Sequence, residues 1–173
     1  MFSIERLRAG LHTEFLGHVI KYKHKTSSTN DDAWEYFQDH QPEGILIITE
    51  HQQQGRGRRQ SKWCSTPGKS LTFSFLLLPE IACDKLNLLP LLTGISIIKG
   101  IHAVSNILPG LKWPNDIMLS RKKMGGILIE SQNNNSRLGV VVGVGLNINE
   151  SLDNFPKELH EQTTSLALDS GKK

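Results

Sequence analysis

The chain has 173 residues, 38% of them hydrophobic and 21% charged, with a formal net charge of +3. That length fills one core and is short for two ordinary domains. The composition is ordinary for a soluble protein, and a net charge of +3 is too small to argue for nucleic acid by itself, so where the positive residues sit matters more than how many there are.

The opening MFSIERLRAG carries Glu5, Arg6 and Arg8 and no apolar h-region, so no secretory signal is read there. The longest apolar runs, such as Phe75 to Leu78, fall short of a membrane span. Cys64 and Cys83 have no metal spacing, and nothing supports a disulfide between them, which reads as a reduced cytoplasmic protein.

In chain order, Ile4, Leu7, Leu11 and Phe15 recur at helical spacing and predict an amphipathic helix over 3–16. HVIKYKH predicts a half-buried strand. Ser28, with Asp31 three positions on, forms a capping-box pattern before a helix over 30–39. GILIITE is a buried strand. From His51 to Lys62 no apolar residue occurs, and this loop is expected to be mobile until a ligand orders it. LTFSFLLL is the next strand, and Leu86 to Val104 predict a long, mostly buried helix. Short strands around LKW, IML and MGGILIES follow, then the long strand RLGVVVGVGLNI. Tight turns imply antiparallel pairing. The expectation is an α+β domain with a mixed, mostly antiparallel sheet and helices backing one face.

Two motif matches fail. WCSTPGKS ends like a P-loop, but Trp63 stands where the first glycine belongs and a strand follows instead of a helix. GVGLNI, from Gly143, resembles a dinucleotide fingerprint, but its sixth position is Ile148 and no long helix follows. The histidines are scattered, and no serine or cysteine has a nucleophile's context.

Four polar clusters remain. In GRGRRQSKW, Gly55 and Gly57 free the backbone to wrap a small group while Arg56, Arg58 and Arg59 offer guanidinium forks to a carboxylate or phosphate. Trp63 adds an apolar face for a ring. A solvated basic loop or a nucleic-acid contact is the plainer reading. Ser28, Thr29 and Asn30, with Gln52, present donors and acceptors together, suited to a neutral amide-like group or merely to capping. LKWPNDIML places Lys112 between Leu111 and Trp113, either as a functional cation or as an edge lysine reaching water. Glycine pairs in GGILIE and VGVGLN, inside strand-like sequence, suggest close approach of something to the backbone.

Taken together, STN, QxxGRGR, KWPND, GGILIE and GxGxN resemble the biotin protein ligase family, which shares its fold with lipoate protein ligases. The resemblance runs from about Leu11 to the C-terminus. It implies activation of biotin with ATP and Mg²⁺ to biotinyl-5′-AMP, then transfer to a lysine of a biotin carboxyl carrier protein, a subunit of acetyl-CoA carboxylase or of another biotin-dependent carboxylase. It implies biotin contacts at Ser28, Thr29, Asn30, Gln52, Arg56, Gly57, Arg58, Lys112 and Gly126, and nucleotide contacts at Arg56, Arg58, Arg59, Trp63, Lys112 and Asn147. Lys112 and Arg58 would be catalytic, and Asp116 would stand near the metal. The family loop reads GRGRRGRxW, whereas Gln60-Ser61 stand here in place of its second Gly-Arg, so one guanidinium is missing.

The expected domain plan is a single catalytic domain over 1–173, without the N-terminal helix-turn-helix or the C-terminal β-barrel of some relatives. No membrane or DNA partner is expected, and a homodimer through the sheet edges is left open. The competing readings are lipoate or octanoate transfer on the same fold, a non-catalytic biotin-binding module, and a nucleic-acid-binding loop.

Overall fold

A computed structural model describes residues 3–81, 83–134 and 137–171. Its centre is a seven-stranded sheet in the order β1-β2-β3-β7-β6-β5-β4. The strands are β1 (Ile20–Thr26), β2 (Leu46–Gln52), β3 (Ser70–Leu77), β4 (Gly110–Lys112), β5 (Asp116–Leu119), β6 (Lys122–Asn134) and β7 (Arg137–Asn147). Only β1 and β2 run parallel, because the helix α2 (Thr29–Gln38) crosses between them; every other neighbouring pair is antiparallel. The mixed, mostly antiparallel α+β architecture is as expected.

The helices do not share one face, which corrects the expected layering. In β7, Val141 turns towards α2, joining Ala33, Trp34, Phe37, Ile47 and Leu76 in one cluster. Its neighbours Val140, Val142, Val144 and Leu146 turn the other way, towards α3 (Leu89–Ser105). The period-2 alternation of a strand apolar at nearly every position forces this, since both sides of β7 need cover. The first helix, α1 (Ile4–Gly10), lays Ile4 and Leu7 on Ile20, Leu46 and Ile48. It is shorter than the expected 3–16. Leu11 caps it in an extended conformation, and the Thr13 hydroxyl donates to the Leu16 carbonyl in the turn that follows.

Of α3, only Gly94 and Ile101 are buried, which corrects the expectation of a mostly buried helix. One stripe meets the sheet through Leu89, Ile97, Ile98 and Ile101. A second apolar stripe, Leu88, Leu91, Leu92 and Ile95, is exposed. With the preceding turn, the helical stretch Lys85–Ser105 contains 18 consecutive residues with a mean hydropathy of 1.5 and is long and apolar enough to cross a membrane by length and composition, beyond what the short apolar runs suggest. Here it lies on the sheet. Cys64 is a free, exposed thiol, and the side chain of Cys83 falls outside the described residues. The chain ends in a short helix, α4 (Leu166–Ser170).

Candidate active site

The sheet face under α2 changes character along its length. Beneath the body of α2 it presents Ile47, Leu76 and Val141. Two and four residues further along the strands the same face presents Thr72 and Ser74 on β3, and Gly143 and Gly145 on β7. Gly126 pairs with Gly145, and Leu128 with Gly143, on β6. A floor low in bulky side chains results, with Leu128 at one side, and a cavity of about 360 Å³ opens above it.

Two of these glycines are required by contact. A Cβ on Gly143 would stand 2.2 Å from Oδ1 of Asn30, and one on Gly145 would stand 2.3 Å from the Trp63 ring. The first lets α2 approach the sheet; the second lets the arginine loop lay its tryptophan on the floor.

The α2 end of the cavity is a buried polar network. Gln52 Oε1 accepts from the Thr29 amide at 2.8 Å and from the Thr29 hydroxyl at 3.0 Å. The Ser74 hydroxyl lies 2.6 Å from both Thr29 Oγ1 and Asn30 Oδ1. Asn30 Nδ2 donates to Glu130 at 2.8 Å. Ser28 occupies the N-cap position, but its side chain makes no capping bond, so the expected capping box does not form. The residue lines the cavity. Two further buried polar atoms on the lining, Thr72 Oγ1 and Trp63 Nε1, have no partner in the protein. Unpaired buried donors of this kind cost stability, which points to a ligand that would satisfy them.

The loop that forms the opposite wall is a small hairpin. Trp63 N–H donates to Gly55, Gly57 N–H to Ser61 and Ser61 N–H to Arg58, and Arg56 bridges to Lys62. A loop lacking apolar residues is therefore held by its own backbone bonds, a source of order that side-chain composition does not reveal. Arg59 takes a left-handed conformation at the turn, with φ 52°. Arg56 is clasped by Asp31 at 2.6 and 2.8 Å, with Glu130 at 3.6 Å. The Asp31 hydrogen bonds, more than the charges around them, hold its pKa further above the usual arginine value. Arg58 donates to Asn115 at 3.3 Å. Among the described residues no carboxylate forms an ion pair with Arg58, Arg59 or Lys62.

Ser28, Thr29, Asn30, Gln52, Arg56, Gly57, Arg58, Arg59, Trp63 and Gly126, far apart in sequence, all line this cavity. Lys112 does not. It lies at the end of the edge strand β4, paired in register with Asp116, which in turn pairs with Gly126. From there it lines an adjoining cavity of about 520 Å³ together with Asn147. Asn147 is buried there and donates to the Thr164 carbonyl at 3.0 Å.

Two lysines line the first cavity, Lys62 of the arginine loop and Lys123 at the start of β6. The Lys123 position was not anticipated. The Lys123 Nζ lies 2.7 Å from Asp116, and its backbone is fixed by hydrogen bonds to Gln162 and Thr164. Lys123 and Asp116, with Ser61, Lys62 and Trp63, line both cavities, so the two are immediate neighbours. Sequence reasoning missed Lys123, Ser74, Thr72 and Glu130. A signal existed for two of them: in LTFSFLLL the hydroxyls alternate with phenylalanines, marking a polar stripe on one strand face.

The sequence pattern of the biotin/lipoate A/B protein ligase family matches residues 22–147. Among curated relatives, the bifunctional ligase/repressor BirA of Bacillus spizizenii is 39% identical over 99% of this chain and 53% of its own length. The biotin–[acetyl-CoA-carboxylase] ligase of Mycobacterium tuberculosis is 32% identical over 75% of this chain and 47% of its own. The chain thus spans about half the length of the curated relatives it matches. A solved biotin protein ligase from Aquifex aeolicus, in complex with biotin and ATP, superposes with a TM-score of 0.77 at 32% identity, covering 90% of this chain and 62% of that one. With a match over most of its length and the motifs gathered around one cavity, the chain belongs to the biotin/lipoate A/B protein ligase family.

Proposed function

We propose that this domain joins biotin to ATP, forming biotinyl-5′-AMP and pyrophosphate, and then passes the biotinyl group to a lysine of a biotin carboxyl carrier protein. The observation that carries the reading is the joining of two unlike linings in one space. Neutral, buried hydrogen-bonding groups stand at the α2 end, and cations without carboxylate partners stand at the loop. A ureido ring, which donates and accepts but carries no charge, suits the first; a carboxylate meeting a triphosphate suits the second. The Aquifex ligase, bound to biotin and ATP, supports this assignment. A lipoyl or octanoyl chain has no polar ring to offer Ser28, Thr29, Asn30 and Gln52.

In this reading a biotin carboxylate oxygen attacks the α-phosphorus while the bond to the departing pyrophosphate breaks. The amine of the acceptor lysine then attacks the anhydride carbonyl, AMP leaves, and the nitrogen loses a proton. No protein nucleophile is needed. The obstacle is electrostatic: two like charges about 4 Å apart repel by about 4 kcal/mol at an effective dielectric near 20. Lys62, Arg58 and Arg59, without carboxylate partners among the described residues, offset that repulsion in this reading, and Lys123, ion-paired with Asp116 beside Gly126, adds to them. Arg58 and Arg59 gain value as charge moves onto the phosphate oxygens. Lys112 and Asn147, on the adjoining cavity, fall to the nucleotide side.

The residues do not build a protein-held Mg²⁺ site. Asp116 spends one carboxylate oxygen on Lys123, and no group of three or more potential metal-ligating side chains converges among the described residues. The metal belongs to the nucleotide, carried in as MgATP.

The test is to incubate the protein with biotin, MgATP and a carboxyl-carrier domain and weigh the carrier. A gain of one biotinyl group is expected, with no gain when lipoate replaces biotin. An unmodified carrier with no biotin-dependent pyrophosphate release would defeat the proposal.

A further inference from the structure

Arg56 is the first of the loop's three arginines, yet its surroundings differ from those of the other two. Asp31, in the first turn of α2, accepts from both its terminal nitrogens, a bidentate pairing that fixes the guanidinium plane. Glu130, on β6, approaches from the sheet at 3.6 Å. Two carboxylates against one guanidinium leave this corner with no positive charge to spare for an incoming anion. Arg56 also sits at the base of the hairpin, bridged to Lys62, one residue from the Gly55–Trp63 hydrogen bond. Holding Arg56 therefore holds the hairpin and the tryptophan it carries.

Glu130 has a second engagement. Its Oε2 accepts from Asn30 Nδ2 at 2.8 Å and Trp34 Nε1 at 3.3 Å. One carboxylate thus touches both the loop's anchoring arginine and the polar network at the other end of the cavity.

We propose that Asp31 and Glu130 are positioning residues that tether Arg56, and through it the arginine loop, against the cavity, leaving Arg58 and Arg59 as the loop's anion-facing groups. The tether deepens the biotin-activating reading, since it sets how the loop meets the adenylate, but its geometry stands without any ligand. The three side chains are 31–43% exposed, so water and salt weaken each pair; the bidentate geometry and the shared arginine make the set a network rather than a lone surface pair.

The test is trypsin cleavage after Arg58 and Arg59 in the ligand-free protein at low salt. Asp31→Asn with Glu130→Gln should raise the cleavage rate on the order of tenfold, with an unchanged melting temperature. Asp31→Glu, which keeps the charge, should retain most of the protection. At about 1 M salt, where the screening length shrinks to about 3 Å, the wild-type rate should approach that of the double variant. Equal cleavage of the double variant and wild type would overturn the proposal, as would a rise that Asp31→Glu shares or that tracks a lower melting temperature. A second arm measures biotin binding by calorimetry. Absence of biotin binding in the wild type would remove the biotin-activating reading while leaving the tether to be judged on the ligand-free arm.

Discussion

Trp63 rests on Gly145, the indole so near the β7 backbone that a Cβ there would stand 2.6 Å from Nε1. The contact joins the arginine loop to the sheet, and the ring lines both cavities at once. Gly145→Ala must push the ring away, because the backbone of a central strand cannot yield as a side chain can. Overpacking of this kind costs about 1–3 kcal/mol, and the ring would move into the space a ligand needs. Biotin and ATP affinities should both fall at least about tenfold. Calorimetric affinities equal to wild type would show that the ring has room to spare.

The two lysines make separate predictions. Lys123→Ala removes the β6 cation from the first cavity and should lower biotin-dependent pyrophosphate release by about two orders of magnitude. Lys112→Ala should act mainly through the nucleotide, raising the KM for ATP with a smaller change in kcat, because that side chain lines only the adjoining cavity. A reversed order of effects in steady-state pyrophosphate assays would return the carboxylate-facing role to Lys112.

Much of this was legible because it rests on local chemistry. Strand periodicity marked the sheet, and the motifs that gather around the cavity each had an odd local composition. The choice between Lys112 and Lys123 was different. Both stand near a turn, and only the strand register, Lys112 to Asp116 to Gly126, shows which is an edge residue. The cover of α3 was hidden for a related reason. Its periodicity announces a helix, but with apolar residues on both stripes it cannot say which stripe meets the sheet. The layering failed likewise, since a strand apolar on both faces does not tell which side each helix takes.

Glu150 gives a pH dependence away from the cavity. It is 2% exposed, accepts from the Ser70 hydroxyl, and has its other carboxylate oxygen unpaired. Burial raises its pKa above the usual carboxylate value, outweighing the Ser70 hydrogen bond. Between the unfolded and the raised folded pKa, the folded state binds more protons than the unfolded one. This contribution to stability is therefore full below the unfolded pKa and is lost as pH rises through the folded pKa. Glu150→Gln lacks the titration. The stability of Glu150→Gln relative to wild type, from urea midpoints, should increase from pH 4 to pH 7.5; a difference that stays constant would contradict the assignment.

Ser28 separates a structural role from a binding one. At an ordinary N-cap, replacing serine with alanine costs about 1 kcal/mol through the lost bond to the helix backbone. Here that bond is not made, and Ser28 lines the cavity beside the Thr29–Gln52–Ser74 network. Ser28→Ala should leave the melting temperature nearly unchanged while weakening biotin on the order of tenfold, the scale of a lost hydrogen bond at a buried polar contact. ATP affinity should move much less, because the cations that face the phosphates are untouched. The two arms decide between roles: lower stability with unchanged biotin affinity would make Ser28 a helix cap after all, and equal losses for biotin and ATP would mean that the neutral end of the cavity does not hold the ring.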